Sequence, residues 1–575
     1  MLVILFVWIY IFLSSFSVGL FTQRLLQKVT GGASAFSAAL TSVLGLISIT
    51  VVLSYCSLFL PINNWILHSI LALITASSIW YFRDAFLKVI RDLATSFADA
   101  DIIHKLLLVV FFLFILIKAS GQVQSLDSGS YHLPFIKWVE AHHLITGLAN
   151  VHSRFGFNYH YHILYAFYGF ACVFGTTIHA LNGYLFLMGF VYLYGMYTKN
   201  AANPLYKLAA IIALLYISQI NKGMTGFSPD FPVAIVQMMI VFECLKYLDL
   251  KYNNGITQHN EQHVLLTIFL LTFGAISLKL ATVSVVFVVT IVFFRSIFNL
   301  KTFATLFVFG VVILSPYLFR NYTMSGYLVY PFYSVDLFHV PWKVPMARTI
   351  DEKIVIKNFA LGYPYYYKGA YHYNAELFKT WIKNLAYLNK AYPPIIAVIA
   401  FCIVVAFVKW TMALISRTKE NNLLAPVNVI LYGLVAGIFF WFYNAPDPRF
   451  GNGIILPLIA IVLADLLISL KLLRLIKPIA IVCCLAIVVS SAASLSGFAV
   501  SQTVYQTNKV NFTFVMQEPY PAPDTASISV QGYHSYQAKE RCWECPLPCS
   551  YTIDSFRYTE PGNVNKGFLP MHENQ

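Results

Sequence analysis

The stretch that decides the fold is "KLLLVVFFLFILIKASGQVQSLDSGSYHLPFIKW", residues 105–138. Between its two flanking lysines, the run 105–118 has no polar side chain, and only lipid suits such a segment. A few residues further on come Asp127, Tyr131, His132 and Lys137. An acid, a phenol, an imidazole and an amine are thus set where the chain leaves the membrane, where polar groups are costly unless they serve a purpose.

Working outward, similar apolar runs recur along the whole chain. They cover 1–21, 34–60, 65–81, 105–119, 180–197, 206–221, 229–247, 263–278, 281–297, 302–319, 391–416, 424–443, 454–471 and 476–497. Segments this long and this apolar are the mark of membrane-crossing helices. The composition agrees, with 59% hydrophobic and 11% charged residues among 575. The expected fold class is all-α: a polytopic membrane protein with about 14 transmembrane helices, outward loops and a small C-terminal extramembrane tail. Residues 1–21 lack a charged leading region and a small-residue cleavage site, so they read as a first span rather than a signal peptide.

The organisation follows from these runs. Transmembrane helices fill 1–119, a first large outer loop with interfacial or re-entrant helices fills 120–176, and more spans fill 177–319. A second outer loop covers 320–390, further spans 391–497, and a cysteine-containing tail 498–575. Lysine and arginine mark cytoplasmic loops. Arg24 and Lys28, then Arg83, Lys88, Arg91 and Lys105, fall on one side, as do Lys199, Lys207, Lys246, Lys251, Arg295 and Lys301. Lys409, Arg417, Lys419, Lys471, Arg474 and Lys477 follow the same alternation. This parity puts the N-terminus and the tail outside and requires that 159–176 does not cross. The net charge of +14 is accounted for by these loops and by anionic lipid, and no basic-aromatic module points to nucleic acid.

The unusual polar residues gather on the outer side. Asp127 reads either as a helix cap or as a general base for an acceptor hydroxyl. Around it stand Tyr131, His132, Lys137, His152 and Arg154, with His142, His143, His160 and His162 nearby. No HExxH or comparable spacing appears, so these imidazoles read as hydrogen-bonding groups for a hydroxylated ligand, with a divalent metal as the open alternative. Asp230, in "GFSPDFP", reads as a second cavity carboxylate or as a cap. Lys279 interrupts two apolar runs and either faces a cavity or snorkels. Arg320 and Asn321, in "RNYTMSGYLVYP", suit phosphate oxygens or an interfacial anchor. Asp447 and Arg449, in "PDPRFG", sit in a Pro- and Gly-bracketed turn that is tolerated at membrane depth only against protein or a cavity.

These residues resemble those of GT-C type glycosyltransferases, multi-span enzymes that take sugars from polyprenyl-phosphate carriers. The matching features are Asp127 in an outward loop, the Asp230 turn, the "RN…SG…YP" segment and the "PDPRF" turn. The chain is still more similar to a set of uncharacterised bacterial membrane proteins with "D…YHLPFIKW", "PDPRFG" and a Cys-Trp tail. The resemblance implies a lipid-linked sugar donor, inverting transfer with Asp127 as base, cations holding the carrier phosphate, and a glycan, lipid or protein acceptor. It implies residence in a bacterial inner membrane with the site on the periplasmic side. Two departures stand out: three spans come before the 105–119 span that leads into Asp127, where the family places its acid after the first span, and "LDSGS" holds a single acid. A polysaccharide polymerase or ligase is the alternative enzyme. A transporter is the alternative of another class, although no internal repeat is visible.

In the tail, "RCWECPLPCS" carries Cys542, Cys545 and Cys549. Outside the cell a disulfide is favoured over zinc, and the prolines at 546 and 548 favour pairing of Cys542 with Cys549.

Overall fold

The computed structural model describes residues 1–123, 125–199, 203–253, 255–364, 366–369, 371–416, 423–505, 515–550 and 556–571. Arg417 and Lys419 of the expected cytoplasmic loops lie outside the described residues. The chain begins with α1 (Leu2–Thr30), α2 (Ala38–Cys56), α3 (Trp65–Tyr81), α4 (Arg83–Ala98) and α5 (Ile102–Ser120). The first loop carries α6 (Leu133–Ala141), α7 (Tyr161–Tyr168) and α8 (Ala171–Phe174). Then come α9 (Leu181–Lys199), α10 (Pro204–Gln219), α11 (Asp230–Asn253), α12 (Gln258–Leu278), α13 (Val286–Val292), α14 (Phe294–Ile297) and α15 (Leu300–Ser325). The second loop holds α16 (Met346–Leu361) and α17 (Ala375–Leu388), and α18 (Tyr392–Ser416), α19 (Pro426–Asn444), α20 (Pro448–Ser469) and α21 (Ile476–Tyr505) complete the bundle.

Among the described residues, nine helices are long and apolar enough to cross a membrane: α1, α2, α5, α11, α12, α15, α18, α19 and α20. The pair α3–α4, bent by 80°, makes a tenth if it counts as one span. The other expected spans, 180–197, 206–221 and 476–497, are helical as well, and 281–297 is broken into a 3₁₀ turn followed by α13 and α14. A helix satisfies its own backbone groups, which is why apolar segments in lipid take this form. Short polar caps start them: Ser37 accepts from the Leu40 N–H and Thr257 from the Asn260 N–H. Phe303, Phe307, Val308, Val311 and Val312 on α15 are exposed, as are Phe401, Val404, Phe407 and Val408 on α18. Such faces need lipid, not water, around them.

The interior is held by close backbone contact as well as by apolar packing. A Cβ on Gly45 would lie 1.7 Å from the Ser15 carbonyl oxygen, so α1 and α2 touch main chain to main chain. At the same crossing Ser42 links Ser15 (2.7 Å) and the Tyr184 hydroxyl (2.6 Å).

One end of the bundle gathers the loops. The Met1 ammonium donates to the carbonyls of Val515 and Met516, the Glu518 N–H to Ser120, and the Gly147 N–H to Thr323. The N-terminus, both large loops and the tail therefore share that end. The segment 159–176 also stays there. The His160 N–H donates to the Ser277 carbonyl, Trp8 Nε1 donates to the Ala180 carbonyl, and the eight residues of α7 rise only about 12 Å.

Two elements differ from the sequence reading. Residues 83–98, read as a charged loop, form α4, because Phe86, Ile90, Leu93 and Phe97 recur at helical spacing opposite Lys88 and Arg91. The second large loop is largely helical, through α16 and α17. The tail carries a few short strands in a chain that is otherwise mostly helical, as the all-α class expects. There β1 (Thr525–Val530) and β2 (Tyr533–Ala538) pair antiparallel, β3 (Cys549–Ser550) adds parallel to β2, and β4 (Phe556–Tyr558) pairs with β5 (Phe568–Pro570). Gln531 and Gly532, both with positive φ, make the tight β1–β2 turn.

Candidate active site

A short π-helical turn, Ser128–His132, follows Asp127 and runs into α6. Asp127 lies in the right-handed helical region and its carboxylate caps nothing. It accepts instead from Arg154 Nη1 at 3.3 Å. Arg154 is held in turn by Glu352 of α16, 3.7 Å away, and its guanidinium lies 4.9 Å above the Tyr131 ring. The Arg154 N–H donates to His152 Nδ1, which starts the 3₁₀ turn that carries the arginine.

A second ion pair joins Lys279 to Asp230. Lys279 sits at the extended break where α12 ends, and Asp230 opens α11. The ammonium also lies 4.7 Å from the Phe450 ring centre and 5.5 Å from that of Tyr159. A third pair is internal to the "PDPRFG" turn. Asp447, fully buried, accepts from the Arg449 N–H and from its guanidinium at 2.9 Å, which caps α20 and fixes the arginine together. Arg449 spreads over the rings of Phe359 and Phe450.

The pairs converge. Burial first, and then the Asp127 charge, holds the Tyr131 phenol well above its ordinary value, while Arg154 and Arg449 pull it back. Burial also keeps the His132 imidazole far below its usual range, with His162, Lys279, Arg154 and His152 adding to that. The rings link the pairs: the Tyr131 ring, under Arg154, lies 4.2 Å from that of His132, which lies 6.2 Å from Tyr159 beneath Lys279, and Lys279 and Arg449 share the Phe450 ring. Burial drives His152 and His162 down to about 3, so these rings are neutral hydrogen-bonding groups at neutral pH. Beside Lys279 opens a cavity of about 190 Å³, walled by Phe157, Tyr159, Tyr330, Trp441, Asn444 and Phe450 among others. That is room on the order of a dozen water-sized groups, the scale of one sugar ring. Among the described residues, no three His, Cys, Asp or Glu side chains converge as a metal's ligands.

Other expected site residues lie elsewhere. Arg320 is buried and donates to Asn158 Oδ1 at 2.9 Å and Ser57 Oγ at 2.7 Å, and Asn321 donates to the Leu328 carbonyl. Lys137 donates to the carbonyls of Glu544 and Cys545 in the tail. Cys542 and Cys549 form a disulfide, with Cα atoms 5.9 Å apart. Sequence reasoning missed Glu352 and the aromatic wall of Trp441 and Phe450. Glu352 falls in "TIDEKIVIKNFAL", whose helical spacing was the available signal. The wall residues are indistinguishable in sequence from lipid-facing aromatics.

Beside the site, Glu140 is buried under the tail and donated to by Thr177 Oγ1 at 2.8 Å. Burial pushes its carboxyl up to about 8, with Thr177 and Lys137 pulling it down and Glu544 pushing it further up. The folded value lies above the unfolded one of 4.5, so the protonated group stabilises the fold fully below pH 4.5. That stability is lost as pH rises toward 8. The melting temperature of wild type should therefore fall relative to Glu140→Gln across pH 4.5 to 8; a constant difference would show that Glu140 titrates normally.

Fold and site together define a polytopic helical membrane protein with an ion-paired, aromatic-walled cavity at its loop-bearing end. Residues 1–456 match a family described as a domain of unknown function (DUF8201), and the chain belongs to that family. The matched range contains all the cavity-lining residues, the last being Phe450. No curated protein and no solved structure matches the chain.

Proposed function

We propose that this protein is a GT-C type glycosyltransferase of a bacterial inner membrane. It moves a sugar from a polyprenyl-phosphate carrier to a glycan, lipid or protein acceptor at the periplasmic face. In this reading the chain crosses fourteen times, with the N-terminus and tail outside. Asp127, partly open to solvent, takes the proton of the acceptor hydroxyl as that oxygen attacks the anomeric carbon. The bond to the carrier phosphate breaks, and the charge left on the phosphate is met by Lys279 and Arg449. The aromatic wall stacks on the sugar.

The observation that supports the reading is the run of contacts from Asp127 through Arg154, Tyr131, His132 and Tyr159 to Lys279, which shares the Phe450 ring with Arg449: one acid and three cations around linked rings. They stand beside a cavity sized for a sugar, in a bundle whose apolar faces would let a lipid-borne donor approach sideways. The test is to incubate purified protein in detergent with labelled polyprenyl-phosphate sugar and candidate acceptors. Release of free polyprenyl phosphate is expected. Intact donor carried across a proteoliposome bilayer, with no release, would favour a transporter instead.

A further inference from the structure

The tail grips the catalytic turn from behind. The Gly129 carbonyl accepts from the N–H groups of both Cys542 and Trp543, each at 3.0 Å. The Trp543 indole lies flat against Gly129, and a Cβ there would meet its ring at 2.6 Å. Trp543 is 2% exposed, stacks on Tyr520 at 15°, and holds φ at 43°, a region a bulky residue rarely adopts. On either side Ser130 Oγ donates to the Glu540 carbonyl, and Lys137 Nζ reaches the Glu544 and Cys545 carbonyls. The Cys542–Cys549 bridge closes the loop that presents the tryptophan. Asp127 and Tyr131 lie two residues to either side of Gly129 and meet Arg154.

We propose that Trp543 is a positioning residue for the reaction, held by the Cys542–Cys549 loop, so that reducing this disulfide frees the Asp127–His132 turn and switches transfer down. The inference rests on the reading of the site given above. The Ser128–His132 turn is a π-type departure from α-helical winding, a rare form found mostly at functional sites, and the clamp holds it at its second residue, Gly129. A shift of about 1 Å at the base costs up to about 100-fold in rate.

The experiment uses the full-length protein in detergent, with hydrogen–deuterium exchange and transfer kinetics read together. Reduction with a phosphine, Cys542→Ser/Cys549→Ser, and Trp543→Ala should each speed amide exchange in residues 126–133. Melting temperature reports whether the helical bundle stays folded. Transfer should fall about tenfold or more in kcat, with KM for the donor unchanged, and Trp543→Phe should recover part of it. Unchanged exchange at 126–133 after reduction overturns the clamp whatever the activity. Faster exchange in a protein that transfers no sugar even when oxidised leaves the clamp standing and overturns the proposed reaction.

Discussion

Replacing Asp127 with Asn is expected to slow sugar transfer by about 10²- to 10⁴-fold, the usual worth of a positioned general base. The amide keeps the shape of the carboxylate but cannot take a proton. Stability should hardly change. The Asp127–Arg154 contact is partly exposed, and pairs of that kind contribute about 1 kcal/mol or less. Arg154 also retains Glu352. The checks are carrier-phosphate release and a melting curve on the same preparation. Full activity in Asp127→Asn would remove this residue from the mechanism.

Lys279→Met is expected to have the largest effect on folding. It strips the partner from Asp230, whose side chain is largely buried, and breaking one side of a buried pair costs about 3–5 kcal/mol. The double variant Lys279→Met/Asp230→Leu should recover most of that loss, because replacing both charges with apolar groups leaves no orphan. If Lys279 also meets the carrier phosphate, the double variant refolds yet transfers poorly. Thermal unfolding of the two variants, followed by transfer assays on the double one, separates the roles. Recovery of both stability and activity would leave Lys279 a structural residue only.

What the sequence disclosed was governed by spacing. Apolar runs of the α1 and α15 kind are visible because lipid demands length, and every such run is helical here. That the N-terminus, loops and tail share one end is seen in their backbone hydrogen bonds. Which outward residues share a pocket was not legible. Asp230 and Lys279 lie 49 positions apart and meet only because α11 and α12 are antiparallel neighbours with a break at Lys279 (279 − 230 = 49). Arg320 sits at the same end yet is consumed by Ser57 and Asn158, a use that no local pattern encodes. The β-fold of the tail was hidden by polarity, since short strands such as Phe556–Tyr558 carry too few residues to show a period.

On the proposed reading, a lipid-borne sugar phosphate rests in the cavity lined by Lys279, Tyr159, Trp441 and Phe450. The most direct measurement is photo-crosslinking with a polyprenyl-phosphate sugar bearing a diazirine on its sugar ring, followed by mapping of the labelled peptides. Adducts are expected on peptides containing Tyr159, Trp441 and Phe450, suppressed by excess unlabelled donor. Specific labelling confined to the opposite end of the bundle, near His104 and Tyr197, would contradict it.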